Sequence, residues 1–414
     1  MIAGIGQSRG SKPEPRYVQA AAPRGSQPEP RYLRSCVLAF VVLSACLTLA
    51  QASWLGAAER VAPGIDLFRS TGQALVDQAG PIALYLLRLD PNRVTLASGL
   101  SNGEVMDAER VDGIAARYKA VAAVNGGFFN VKNGEPAGLL KVAGELVSDT
   151  AAFRGIVAIK ASAGARPQLE FDQAIARMSL DVRAGGRDYL VRIDGVDTTR
   201  ERGKLMLYTP SYHRDTDTAA NGIEWVLSGS PLTVTEIRRD LGKTPIPRNG
   251  AVLSYGGLEP PDGLAALARG TRVSLPIAWT TRLGLSSKFL DQAQHVINGA
   301  GLLKHKGKPI TTWRETENLN PQTFIDMRHP RTVIGVDRRG AIWLVVVDGR
   351  QPNYSIGMTL PDLVRLADRL DLQDALNLDG GGSSTMVING QIVNKPSDAA
   401  GPRAVSDAIV VRAR

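Results

Sequence analysis

Cysteine is nearly absent from this chain: its 414 residues hold two, Cys36 and Cys46, both inside one apolar stretch near the N-terminus. Once that stretch is removed, no disulfide can form and the core alone must hold the fold. Histidine is almost as scarce. His213, His295, His305 and His329 show no i, i+4 pairing and have no cysteine neighbours, so no zinc template is present. No Lys/Arg-rich run interleaved with aromatics occurs; basic residues come singly or as pairs such as Arg238-Arg239 and Arg338-Arg339, which argues against a nucleic-acid partner. The first 58 residues carry six of the 49 basic residues and two of the 40 acidic ones, so the formal charge of +9 falls to +5 beyond them. The Asp/Asn-rich segment 214–221 lacks the alternation of an EF-hand loop, yet keeps a divalent cation such as calcium among the candidate cofactors; no other cofactor is indicated.

What is there begins with a targeting segment. Arg31 and Arg34 precede an apolar run from Cys36 to Ala50, and Ala50-Gln51-Ala52 supplies small residues for cleavage, the pattern of a secretory signal. The protein is therefore expected to be exported to the periplasm, cell surface or medium. An uncleaved anchor ranks second, since no charge lies between Arg34 and Glu59; membrane contact is expected through this segment only. A lipoprotein box at Leu43-Ser44-Ala45-Cys46 ranks third. Upstream, Lys12-Pro13-Glu14-Pro15-Arg16-Tyr17 is nearly repeated as Gln27-Pro28-Glu29-Pro30-Arg31-Tyr32, low-complexity sequence with no core to bury. Residues 1–58 are thus set apart from one large domain spanning 59–414.

Within that domain short β-rich runs alternate with Gly, Pro and Asn turns. Candidate strands are 82–89, 120–125, 156–160, 273–279, 332–336, 341–348 and 408–411. Thr359 as N-cap, Pro361 in the first turn, and Leu360, Leu363, Val364, Ala367 and Leu370 at three- and four-residue spacing predict a helix. With strands on either side it makes a βαβ unit with two parallel strands. A second helix is expected over 107–118. The fold class is α+β: mixed sheets, few helices, and a βαβ unit near the C-terminus.

Three strands end in polar chemistry. Asn377-Leu378-Asp379-Gly380-Gly381-Gly382-Ser383-Ser384-Thr385 places a carboxylate at a strand end, followed by glycines and hydroxyls that suit a phosphate or a sugar; no Lys follows, so it is no nucleotide P-loop. Asn125-Gly126-Gly127-Phe128-Phe129 offers an amide beside aromatics, and Asp348-Gly349-Arg350 a carboxylate with a guanidinium, read as an ion-paired turn. Ligands gather at strand carboxyl ends, so Asn125, Asp348 and Asp379 are expected to converge. Arg331 is a candidate phosphate grip, and Asn394 and Arg403 mark a further polar loop.

In order and spacing, Asn125 to Phe129, His329 to Gly335, Val347 to Arg350, Asn377 to Ser384 and Asn394 to Ser397 resemble the phosphodiester glycosidase family. The resemblance implies hydrolysis of the bond between a sugar and a phosphodiester, with a sugar phosphodiester or phosphorylated carbohydrate as partner, often in envelope or extracellular polysaccharide. Asn125, Arg331, Asp348, Arg350, Asn377, Asp379 and the loop from Gly380 to Ser384 match the family's polar signature; the roles inferred here are catalytic for Asp379 and Asp348 and substrate-binding for Asn125, Gly126, Arg331, Arg350, Asn377, Gly380, Gly381, Gly382, Ser383, Ser384, Asn394 and Arg403. The family's Gly-Gly-Pro stands here as Gly299-Ala300-Gly301. A noncatalytic polysaccharide-binding protein and a metal-dependent phosphodiesterase are the alternatives.

Overall fold

The computed structural model describes residues 54–161 and 164–414. The Pro-rich repeat, the signal or anchor segment and both cysteines lie outside the described residues.

The strand Ile342–Val347 is apolar at every position, as a strand covered on both faces must be. Successive side chains point to opposite faces, so Ile342, Leu344 and Val346 enter one core while Trp343, Val345 and Val347 enter another. It lies at the middle of an eight-stranded sheet ordered Glu59–Ala62, Ile65–Ser70, Leu84–Leu89, Ile342–Val347, Arg331–Asp337, Leu372–Asn377, Leu302–His305, Lys308–Pro309. Every neighbouring pair is antiparallel.

The helix Leu360–Arg369 covers one face with Leu360, Leu363, Leu366 and Ala367. It starts as its sequence predicts: the Thr359 side chain accepts from the Asp362 amide, and the Asp362 side chain accepts from the Thr359 amide. The strands it joins, Ile342–Val347 and Leu372–Asn377, run parallel but are not neighbours. Arg331–Asp337 pairs antiparallel with both and splits the βαβ unit. The second expected helix is shorter, Val111–Arg117, because Glu109–Arg110 is drawn into a two-stranded pairing with Ala404–Val405. The strand expected over 273–279 is broken into Val273–Ser274 and Ile277–Thr281, with Pro276 between them supplying no amide.

A second sheet, built on the long strands Thr150–Lys160 and Gln168–Ala184, and a five-stranded sheet from Gly195–Val196 to Thr233–Arg239 share a core of their own. The sheet that matters for the site is ordered Gln391–Ile392, Met386–Ile388, Ala122–Asn125, Asp407–Ala413, Val94–Leu100. It contributes Val124, Met386 and Ile409 to the core that also holds Ile334, Leu344 and Leu376. The glycine-rich segment between Asn377 and Met386 is thus the bridge from one sheet to the other.

Candidate active site

Register puts the site at one end of the central sheet. Arg331 stands opposite Val347 and Val333 opposite Asn377, so the start of one strand and the ends of its two neighbours share an edge. The chain then crosses to the second layer through backbone bonds: Leu378 N donates to Thr332 O (2.8 Å), Asp379 N to Gly126 O (3.2 Å) and Gly381 N to Pro330 O (2.9 Å).

Asn125 is fully buried and fixes this crossing. Its Nδ2 donates to Asp379 O (2.8 Å), while its Oδ1 accepts from the Thr332 hydroxyl (2.7 Å) and the Thr385 amide (3.2 Å). The side chain is therefore committed to the scaffold through both its nitrogen and its oxygen, and Asn125 positions the Asp379 loop instead of reaching out to a ligand.

Asp379 is half-buried, and its Oδ1 accepts the Gly380 amide (2.8 Å). Burial pushes its carboxyl up to about 6, against the pull of the nearby Ser383 hydroxyl, of that amide and of Arg403. The carboxylate that also raises it is Asp407, a residue sequence reasoning missed. Asp407 opens the last strand, is buried, and accepts from the Gly127 amide (3.0 Å) and the hydroxyls of Ser406 (3.1 Å) and Ser98 (3.3 Å). Burial raises it likewise to about 6. Gly126 lies against it: a Cβ there would come within 2.0 Å of Asp407 Oδ2, so only glycine lets the ends of these two paired strands close. That clash is the one signal, and it exists only in three dimensions.

Asp348 turns inward. Its Oδ1 accepts Asn394 Nδ2 (2.8 Å), and its Oδ2 accepts the Lys395 amide (2.9 Å) and the Tyr354 hydroxyl (3.1 Å). Burial raises its pKa, opposed by those three donors. Asn394 completes the knot by donating to Ser384 O (3.0 Å) and accepting from the Met386 amide (2.8 Å). The ion pair expected between Asp348 and Arg350 is absent, because Asp348 is already engaged through both oxygens.

Arg350 instead lies over Gly381, with its Nη2 on His329 Nδ1 (3.2 Å). His329 Nε2 donates to Thr323 O (3.0 Å), and burial, reinforced by Arg331 and Arg350, lowers its pKa, so the ring is neutral with Nδ1 free to accept. This leaves the exposed guanidinium of Arg350 without a carboxylate partner among the described residues. Arg331 is deeply buried. Its Nε donates to Met358 O (2.9 Å) and its Nη2 to Phe324 O (2.6 Å) and Met327 O (3.0 Å), under the Phe324 ring at 4.8 Å. It ties the Phe324–Met327 segment to the sheet edge, and among the described residues Nη1 alone is left without a protein acceptor.

The glycine run is tighter than an open anion nest. The amides of Gly380, Gly381, Ser383 and Ser384 are all bonded within the protein. Gly382 is forced by close approach: a Cβ there would sit 2.2 Å from both carboxylate oxygens of Asp398, which is paired with Arg403 at 2.8 Å. What the segment leaves open are side chains. Asn377 Oδ1, Ser383 Oγ, Thr385 Oγ1 and Ser397 Oγ are four of the ten buried side-chain polar atoms without an aligned hydrogen-bond partner among the described residues. Such atoms are costly unless something else satisfies them, and these four belong to the two polar segments that meet at the Asp379 crossing. Asn377 Nδ2 donates to Ala300 O (2.7 Å), and the hydroxyls of Ser384 and Thr332 lie 3.2 Å apart.

The Gly299-Ala300-Gly301 wall departs from Gly-Gly-Pro for a visible reason. Gly301 has φ of +95° and donates its amide to Glu317 (2.9 Å), both of which proline forbids. Glu317, another residue the sequence did not flag, also accepts from Gly155 (3.0 Å), Leu302 (2.9 Å) and Gln173 (3.0 Å).

In the segment 214–221 the Asp215 carboxylate accepts the Asp217 amide (2.9 Å) in a local turn. Among the described residues no group of three or more His, Cys, Asp and Glu side chains is gathered to hold a metal, and no helix is long and apolar enough to cross a membrane.

Comparison with known proteins gives the same family as the motifs. Residues 221–412 match the phosphodiester glycosidase family model, a stretch that holds four of the five motifs and leaves out Asn125 to Phe129. Over 85 residues, 20% of this chain, the sequence is 38% identical to N-acetylglucosamine-1-phosphodiester alpha-N-acetylglucosaminidase of Bos taurus, and the match spans 15% of that protein's length. A solved structure of a hypothetical protein from Synechocystis superposes with a TM-score of 0.69 at 22% identity, covering 86% of this chain and 63% of that one. A Burkholderia pseudomallei K96243 protein whose name describes it as exported superposes at 0.67 with 23% identity, covering 83% of this chain and 76% of that one. These two likenesses establish a shared fold. The likeness to the phosphodiester glycosidase family is thus carried by residues 221–412.

Proposed function

We propose that the protein hydrolyses the glycosidic bond of a sugar carried on a phosphodiester. The observation that carries this reading is a half-buried carboxylate, Asp379, at the head of a glycine run whose Gly381 lies against Arg350, a guanidinium without a carboxylate partner among the described residues, with unsatisfied polar side chains in the same segment. Asp379 acts as nucleophile or base at the anomeric carbon, where its carboxyl, titrating near 6, is mostly ionised at neutral pH. A phosphodiester is already a good leaving group, so Arg350, held by neutral His329, stabilises the departing charge and no strong acid is required. Asn377, Ser383 and Thr385 are fully buried and set the polarity beneath the loop that carries Asp379. Asp348 and Asn125 are positioning residues: one locks the Asn394–Lys395 loop, the other the backbone of Asp379. Arg331 supports the same edge from below, and Arg403 tempers the charge of Asp379.

The signal-like segment favours action outside the cytoplasm, on envelope or extracellular polysaccharide. The mechanism assigns no step to a divalent cation, since Asp348 has both oxygens occupied and is unsuited to share a metal with Asp379. The test is release of free sugar from a panel of sugar-1-phosphodiesters by the full chain beside Asp379→Asn, with and without chelator. Chelator-resistant turnover lost in the variant supports the reading. Binding without release in the wild type replaces it with a noncatalytic binding function.

A further inference from the structure

A groove of about 440 Å³ is lined by the strand Leu84–Leu89, the segment before it and Tyr354, which belongs to the turn that follows Arg350. Its floor is apolar, made by Ile82 and Leu84, and Tyr85 and Tyr354 stand along one wall. The two tyrosine hydroxyls lie 2.8 Å apart. Because the Asp348 carboxylate can only accept, Tyr354 must donate to it, so Tyr85 donates to Tyr354 and the chain of protons runs inward to the Asn394–Lys395 knot. Lys395 closes the arrangement from behind, its Nζ 5.1 Å from the centre of the Tyr354 ring. The same turn holds both ends together: Tyr354 N donates to Gln351 O (2.8 Å) and Gln351 N to Ser355 O (3.0 Å), one residue beyond Arg350.

We propose that this groove is a second binding site, for a neutral saccharide unit, and that it selects substrates with a carbohydrate chain over small diesters. The inference rests on the reading of Asp379 and Arg350 as a sugar-phosphodiester site and names the part of the substrate beyond it. Three features specify the ligand. The volume falls in the range of small-molecule clefts, and an apolar floor with aromatic walls suits the C–H faces of a sugar ring. The exposed Thr71 side chain and the side-chain oxygen of Gln73, whose nitrogen donates to Gly80 O (3.2 Å), supply polar groups at the rim for sugar hydroxyls. The one cationic lining residue, Arg69, is ion-paired with Glu59, so the groove offers no free positive charge and does not select a second anion.

The test uses the full chain and neutral oligosaccharides of four to six units from glucan, mannan and chitin, with binding followed by saturation-transfer NMR and calorimetry. The exposed Thr71→Trp variant fills the groove without touching the residues around Asp379. At least one series should bind the wild type saturably, and Thr71→Trp should weaken it about 10-fold or more, a loss of roughly 1.4 kcal/mol. Cleavage of a methyl sugar-1-phosphodiester should stay within about two-fold of wild type, while cleavage of a diester carrying an oligosaccharide falls by the same factor as binding. Oligosaccharide binding by a protein that cleaves no diester would retain the groove and remove the catalytic reading. Failure of every series to bind below roughly 10 mM, or equal binding by wild type and Thr71→Trp, would overturn the groove.

Discussion

Replacing Asp379 by Asn should make the protein more stable at neutral pH while abolishing turnover. The carboxyl titrates near 6 in the fold against 3.8 for a freely solvated aspartate, because burial penalises its charge. A tenfold change in acidity corresponds to about 1.4 kcal/mol, so a fully desolvated group would cost about 3 kcal/mol when ionised. Asp379 keeps some contact with solvent, which reduces the figure to roughly 1–2 kcal/mol. Asn retains an oxygen for the Gly380 amide and loses only the charge. The sign follows from the raised pKa. Below about pH 4 both folded and unfolded carboxyls are protonated and the variant gains nothing; as pH rises through about 4 to 6 the wild type alone loses stability, and above that the difference is complete. Urea unfolding of both proteins between pH 3.5 and 8 reads this directly. A variant less stable than wild type at pH 7.5, or a gain independent of pH, would refute the placement of an ionised carboxylate in a desolvating site.

Three more outcomes follow from the contacts. Gly382→Ala drives a Cβ into Asp398 and should cost about 1–3 kcal/mol in thermal unfolding, with Asp398→Ala in the same chain restoring part of it. Glu317→Gln turns an amide group toward donors that now bond to a carboxylate, and the melting temperature should fall by the equivalent of about 2–3 kcal/mol without selectivity for substrate. Arg350→Ala should lower kcat/KM for a sugar phosphodiester about 10- to 100-fold, the worth of a charge-assisted contact, and leave binding of a neutral sugar unchanged in calorimetry.

How much of this the sequence reveals depends on whether the deciding partner is local. The capping box at Thr359 and the unbroken apolar run along Ile342–Val347 rest on neighbours in the chain, and both are legible. The order of strands is not: Arg331–Asp337 slips between the two arms of the βαβ unit, and nothing in its own residues announces that. The motif residues do gather at one edge, yet sequence says where a strand ends and not which way its last side chain turns. Asp348 turns inward because Asn394 and Lys395 wait there, whereas Asp379 keeps partial exposure to solvent. Asp407 escapes notice because its bond to Gly127 spans 280 residues and its neighbours read simply as an apolar strand. Likewise His329 and Glu317 gain meaning only from what folds against them, Arg350 in one case and the Gly301 amide in the other.

The most direct test of the central claim is the identity of the bond that breaks. Hydrolysis of a sugar-1-phosphodiester in water enriched with oxygen-18, followed by mass spectrometry of both products, should place the label on the sugar hydroxyl and leave the phosphate unlabelled, because Asp379 acts at the anomeric carbon. Label in the phosphate would show cleavage at phosphorus and contradict the account.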